Sequence, residues 1–219
     1  MLDRRTFLGA MLVLPSIALA KGDSRITLPP PATEAGCDVL AAVKARRSTR
    51  AFARDPLPLQ TLSTLLWVAF GINRPGAIAG RTAPASHQWY EIDVYAALPE
   101  GLYRYDASGH SLDGILEQDL RALTGTQHYV ASAPLDLVYV ADSTRMSGVS
   151  EEERTFYSAA DAAVIAENVY LYCAAAGLAT VVRGNIDRGK LAAAMKLRPE
   201  QRVVLAQSVG LPAVPSLLK

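Results

Sequence analysis

Apolar and polar positions along this chain fall into stretches of two different periods. From Asp38, which can cap a helix, Val39, Leu40 and Val43 share one helical face that ends near Arg46. Pro56 and Pro58 then break the chain. Leu62, Leu65, Leu66 and Phe70 mark a second helix from about Leu59 to Phe70, with Gly71 at its end. The Gly- and Pro-rich stretch from Ile72 to Gly80 reads as a loop. Beyond it the period changes: Ile92, Val94 and Ala96 alternate with Glu91, Asp93 and Tyr95, as in a strand. Gly101–Asp106 and Ser111–Ile115 flank Ser108-Gly109 as the arms of a hairpin. Leu116–Leu123 reads as a short helix and the apolar run Leu135–Ala141 as a strand.

From Glu151 to Ala176 the chain is Ala-rich, with Phe156, Ala160, Ala163, Val164 and Leu171 at helical intervals and Gly177 closing the run. So long a helix, with few charges in its second half, belongs at the centre of a domain or in an interface. A strand at Leu178–Val182, a helix at Arg188–Lys196 and a strand at Arg202–Val209 complete the order. There is no internal repeat and no regular βαβ alternation. The expected class is therefore α+β, with a central antiparallel or mixed sheet flanked by helices.

Composition narrows the function. A chain of 219 residues, half of them apolar, can bury one sizeable core. A net charge of +1 excludes nucleic acid as the main partner, because phosphate backbones are held by a large basic surplus. Cys37 and Cys173 form no C-x-x-C pair and read as two unrelated thiols. His87, His110 and His128 are too far apart for a local metal motif. Residues 1–20 read as an address: Arg4 and Arg5, a mostly apolar run from Phe7 to Leu19, and Ala18-Leu19-Ala20 as a cleavage pattern. Arg4-Arg5-Thr6-Phe7-Leu8 resembles the twin-arginine export signal. The apolar run is too short to span a bilayer, so no stable membrane insertion is expected after its removal. This places the protein in the periplasm or otherwise outside, with residues 21–37 as a linker and one domain over residues 38–219.

The chemistry-bearing feature is Arg46-Arg47-Ser48-Thr49-Arg50, three guanidiniums and two hydroxyls in five residues. The planar fork of Arg matches two phosphate oxygens, and in extended chain Ser48 and Arg50 converge on one side while Arg46 approaches from the helix end. The same residues also suit a solvated basic helix end that complements the macrodipole. No G-x-G-x-x-G and no Walker-type loop accompanies them. Nor is there a G-x-S-x-G; Ser86 beside His87 lacks an identifiable third member of a triad.

Three further strings complete a pattern. They are Arg81-Thr82-Ala83-Pro84-Ala85-Ser86-His87-Gln88-Trp89-Tyr90-Glu91-Ile92, Glu167-Asn168-Val169-Tyr170-Leu171 followed by Gly177-Leu178-Ala179-Thr180, and Gln207-Ser208-Val209-Gly210-Leu211-Pro212. Together with the Arg-Arg-Ser-x-Arg motif, and in this order, they resemble the nitroreductase family over roughly Asp38 to Pro212. The resemblance implies a homodimeric flavoprotein with one flavin mononucleotide (FMN) per subunit at the interface. Arg46, Arg47, Ser48 and Arg50 would hold phosphate, ribityl or the pyrimidine edge. Val182, Arg183 and Gly184 would lie along the isoalloxazine, with a backbone N–H near the reactive ring nitrogen. The family commonly has Asn and then Gln two positions later in the Pro-Ser loop; here Gln88 and Tyr90 stand there, and Gln88 keeps an amide that can reach flavin. The implied activity is two-step transfer between NAD(P)H or another reductant and a small organic substrate. The cofactor supplies the hard step, so no protein nucleophile, acid–base pair or metal is required. The competing reading is an exported, non-catalytic flavin- or ligand-binding protein on the same fold.

Overall fold

The computed structural model describes residues 25–34, 38–76 and 79–213; the expected signal peptide and Cys37 lie outside them. Among the described residues, nine strands and four helices alternate irregularly. The strands are β1 (Ile26–Thr27), β2 (Ile72–Arg74), β3 (Gly80–Arg81), β4 (Ile92–Leu98), β5 (Gly101–Asp106), β6 (Ser111–Leu116), β7 (Leu135–Asp142), β8 (Ala179–Arg183) and β9 (Gln201–Gly210). The helices are α1 (Val39–Ala45), α2 (Leu59–Phe70), α3 (Glu151–Ala175) and α4 (Arg188–Ala194). Seven strands form one sheet in the order β1-β6-β5-β4-β7-β9-β8, and every pairing in it is antiparallel.

The apolar run that reads as a strand becomes β7, which lies inside the sheet with all its residues buried. Alternation along the strands feeds two cores. Val94, Ala96, Leu137 and Tyr139 face α2 and α3 on one side, where Leu65 and Leu66 are fully buried. Tyr95, Ala97, Val138 and Val140 face Leu191 and Met195 on the other. Each such fully buried leucine contributes about 1.5–3 kcal/mol. A capping box starts α3: Ser150 accepts the Glu153 N–H, and the Glu153 side chain accepts the Ser150 N–H.

The structure corrects the sequence in four places. The stretch expected to be a loop from Ile72 to Gly80 contains the two-stranded ribbon β2–β3, pinned where Trp67 Nε1 donates to the Ile72 carbonyl. The helix expected at Leu116–Leu123 is absent: Leu116 ends β6, and a single 3₁₀ turn covers Arg121–Leu123. Residues 25–34, within the stretch expected to link, add β1 beside β6, and the Pro29 carbonyl accepts from Ser63. Finally, the stripe of α3 facing the core is Ala162, Ile165, Ala166, Val169 and Cys173. Phe156, Ala163 and Val164, chosen from their periodicity, lie on the opposite, exposed side. An Ala-rich helix with apolar residues on both sides carries a weak moment, so period alone cannot orient it. No helix among the described residues is long and apolar enough to cross a membrane.

Candidate functional site

Helix α1 stops at Ala45 because Arg46 leaves helical geometry, at φ −53° and ψ 126°. The extended chain that follows is laid along β8, an edge strand whose outward backbone groups need partners. Thr49 N–H donates to the Thr180 carbonyl at 2.9 Å. Two residues on, the Val182 N–H donates to the Tyr170 hydroxyl of α3 at 3.0 Å. That hydroxyl also shares a 2.8 Å hydrogen bond with Ser48 Oγ. The Arg46 guanidinium sits 5.3 Å from the centre of the Tyr170 ring, within cation–π range. One tyrosine thus joins the basic segment, the long helix and the edge strand. Nothing local in the sequence marks Tyr170 for this role, since a tyrosine in an Ala-rich helix looks like ordinary core.

Beside this junction lies a cavity of about 720 Å³, lined among others by Arg47, Ser48, Arg50, Tyr170, Thr180 and Pro212. Arg47, Ser48 and Arg50 are exposed and Arg46 is half-buried, so a ligand can reach the group from solvent. Val182 is half-buried and Gly184 exposed, at the end of the same edge.

Arg183 differs from its neighbours. Its side chain turns inward and is buried, with Nη2 3.0 Å from Asp136 and 3.0 Å from Thr124 Oγ1, and Nη1 donating to Ser208. Ser208 in turn donates to Asp136. Burial pushes the Asp136 carboxyl above its ordinary range, and Arg183 and the Ser208 hydroxyl pull against that rise. What Arg183 can offer a ligand is therefore backbone.

Gln88 stands apart. It ends a 3₁₀ turn in which His87 and Gln88 have φ of 50° and 58°, and Tyr90 follows at 49°. Three left-handed non-glycine residues in four positions mark a loop held in a costly shape by its surroundings. The clamp is Asp161 of α3, which accepts from the Ser86 N–H at 2.8 Å and the Ser86 hydroxyl at 2.9 Å. The His87 ring stacks on Trp89 at 4.4 Å. Asp161 and Tyr170 are nine residues apart on α3, about 14 Å along the helix axis. Within one chain, the expected site residues are therefore two groups: 46–50 with 182–184 at one end of α3, and Gln88 towards the other. Gln88 lines a second cavity of about 480 Å³ together with Arg81 and Tyr90.

Between the loop and the sheet lies Glu91, at a polar position of the alternating stretch. It is fully buried, and no donor among the described residues reaches either carboxylate oxygen. Burial, reinforced by the neighbouring Asp161 carboxylate, pushes its pKa up to about 7. Two carboxylates side by side can bond only if one holds a proton.

The family model described as the nitroreductase family matches residues 43–211. A crystal structure from Ralstonia eutropha JMP134, assigned there to the nitroreductases, is 46% identical, with a TM-score of 0.84, over 92% of this chain and 96% of its own. A nitroreductase-type protein of Methanocaldococcus jannaschii is 28% identical over 70% of this chain and 81% of its own. An NADPH:FMN oxidoreductase from Vibrio harveyi, solved in complex with NAD+, shares the fold at 20% identity and a TM-score of 0.60, over 83% of this chain and 71% of its own. With a matching sequence model, a near-full-length structural relative and the expected basic segment laid on the edge of the sheet, this chain belongs to the nitroreductase family.

Proposed function

We propose that this protein is an exported, FMN-dependent oxidoreductase that acts as a homodimer on a small organic substrate, with NAD(P)H or another reductant as partner. The observation that carries the reading is the basic segment 46–50 fixed by Tyr170 on the β8 edge, beside a cavity of cofactor size. The residues present fit FMN: exposed guanidiniums and the Ser48 hydroxyl suit a terminal phosphate, and an edge strand offers backbone amides. Bound flavin supplies hydride acceptance and donation. Arg46, Arg47, Ser48 and Arg50 anchor the phosphate end. Tyr170 holds the Val182 amide in place, and Gly184, two residues on, carries the next amide of the same alternation. A fixed N–H directed at developing charge stabilises the reduced ring without rearrangement.

In this reading the Gln88 loop that meets a flavin at the basic segment comes from a second copy, Asp161 and Tyr170 marking two separate places along α3. Exposed Val39 (63%), Leu40 (71%) and Phe156 (67%) on α1 and α3 provide apolar surface for that contact. The twin-arginine-like leader fits a protein that folds around its cofactor before export.

The reading is tested by following the visible flavin band anaerobically in FMN-reconstituted protein. NADPH or NADH is expected to bleach the band and an organic acceptor to restore it. Bleaching by dithionite alone moves the donor elsewhere. A band that no acceptor restores argues for the non-catalytic binding protein.

A further inference from the structure

A third cavity, of about 340 Å³, opens between the end of α2, the Tyr90 loop and strands β4 and β5. It shares Arg81 and Tyr90 with the Gln88 cavity and no lining residue with the cavity beside the basic segment. Four aromatic residues, Phe70, Trp89, Tyr90 and Tyr105, line it among charged ones, and most of its exposed lining is polar. The Arg81 guanidinium stacks 5.0 Å from the Phe70 ring centre and 5.6 Å from that of Tyr90. Its Nη1 donates to the Phe70 carbonyl at 3.1 Å.

The ion pairing around this cavity is uneven. Arg145 Nη2 donates to both carboxylate oxygens of Asp93 at 2.9 Å. Asp106 is taken by Arg25 at 2.6 Å, and Arg104 lies 3.5 Å from Asp113. Among the described residues, no carboxylate lies within 4.0 Å of Arg81. Burial lowers its pKa, the sign of a cation that has lost water without gaining an anion. A desolvated guanidinium with one backbone partner leaves most of its five donors unused.

We propose that this cavity is a binding site for a small aromatic monocarboxylate, with Arg81 as its anchor. One uncompensated guanidinium matches one negative charge, and its fork matches a carboxylate. Arg104 and Arg145 also line the cavity but are already paired with Asp113 and Asp93, so a second negative charge finds no free counter-charge, and phosphates and dicarboxylates are disfavoured. The aromatic side chains suit the face of a planar ring, the polar lining suits its charged substituent, and the volume suits a molecule of one or two rings. Tyr90, left-handed in its backbone, has its ring centre 5.6 Å from the Arg81 guanidinium. Because Arg81 and Tyr90 also wall the Gln88 cavity, the bound acid sits one side chain away from the loop assigned to flavin. The site itself does not depend on the flavin assignment.

The test is calorimetric titration of the full chain, with and without added FMN, using benzoate and its neutral analogue benzamide. Wild type is expected to bind benzoate more tightly than benzamide. Arg81→Gln is expected to weaken benzoate about tenfold or more and to leave benzamide within about twofold, with Arg81→Lys intermediate. The benzamide measurement reports whether the cavity has kept its shape in the variants. Three results overturn the proposal: no benzoate binding by wild type, equal losses of both probes in Arg81→Gln, or displacement of benzoate by inorganic phosphate at comparable concentration. The flavin-free titration separates failure here from failure of the flavin reading.

Discussion

Replacing Arg183 with methionine is expected to destabilise the protein by about 3–5 kcal/mol, because it strands a buried carboxylate. For a chain of this size that corresponds to a fall in Tm of roughly 6–20 °C. The pair is almost without solvent: the Arg183 side chain is 2% exposed and that of Asp136 0%. Asp136 lies on β7, the strand buried along its whole length, so neither backbone movement nor water can readily take over the lost partner. The remaining carboxyl either ionises without a counter-charge or takes up a proton, in which case the loss grows as pH rises. Replacing both partners, Arg183→Met with Asp136→Leu, is expected to recover most of the stability, since a buried ion pair is hard to break and easy to do without. Urea unfolding of the three variants measures this. A single variant within about 1 kcal/mol of wild type would show that the pair contributes little. The effect also reaches the site, because Arg183 fixes the end of β8 between Val182 and Gly184.

The second large effect concerns pH. With its pKa raised from 4.5 to about 7, Glu91 binds its proton more tightly in the folded than in the unfolded chain. Its contribution to stability is therefore fully present below about 4.5 and is lost as pH rises through about 7. The shift corresponds to about 3 kcal/mol at most. Glu91→Gln keeps a donor for Asp161 at every pH. Relative to wild type, the variant is expected to gain roughly 2–3 kcal/mol on going from pH 5 to pH 8. Paired denaturant titrations across that range read the difference and cancel other titrating groups. Parallel curves for the two proteins would refute a shared proton. Asp161 also clamps Ser86, so above neutral pH the loop carrying Gln88 is expected to loosen as the two carboxylates repel.

How much of this could be read from the chain depended on how local the signal was. The Leu135–Ala141 run, the Leu59–Phe70 face and the Ser108-Gly109 hairpin are each set by neighbouring residues, and each is found within a residue or two of its expected bounds. The basic segment was legible as a phosphate candidate for the same reason. Its place on the sheet edge was not, because Ser48, Tyr170 and Val182 meet only through long-range packing. Arg183 read as one more residue beside the ring; its inward turn depends on Asp136 and Ser208, far away in sequence. Glu91 sits at a polar position of an alternating strand, and nothing local shows that α3 covers it. Likewise, Arg81 is conspicuous only once Phe70, Tyr90 and the paired aspartates around it are placed.

In the proposed function, the basic segment on the β8 edge holds FMN. The most direct test is the absorbance spectrum of the purified protein before and after denaturation, with Arg46→Ala and Arg50→Ala measured alongside. The prediction is flavin bands near the molar concentration of wild-type protein, released on denaturation and strongly depleted in both variants. Wild type that binds no flavin even after soaking, or variants that retain it in full, would contradict the claim.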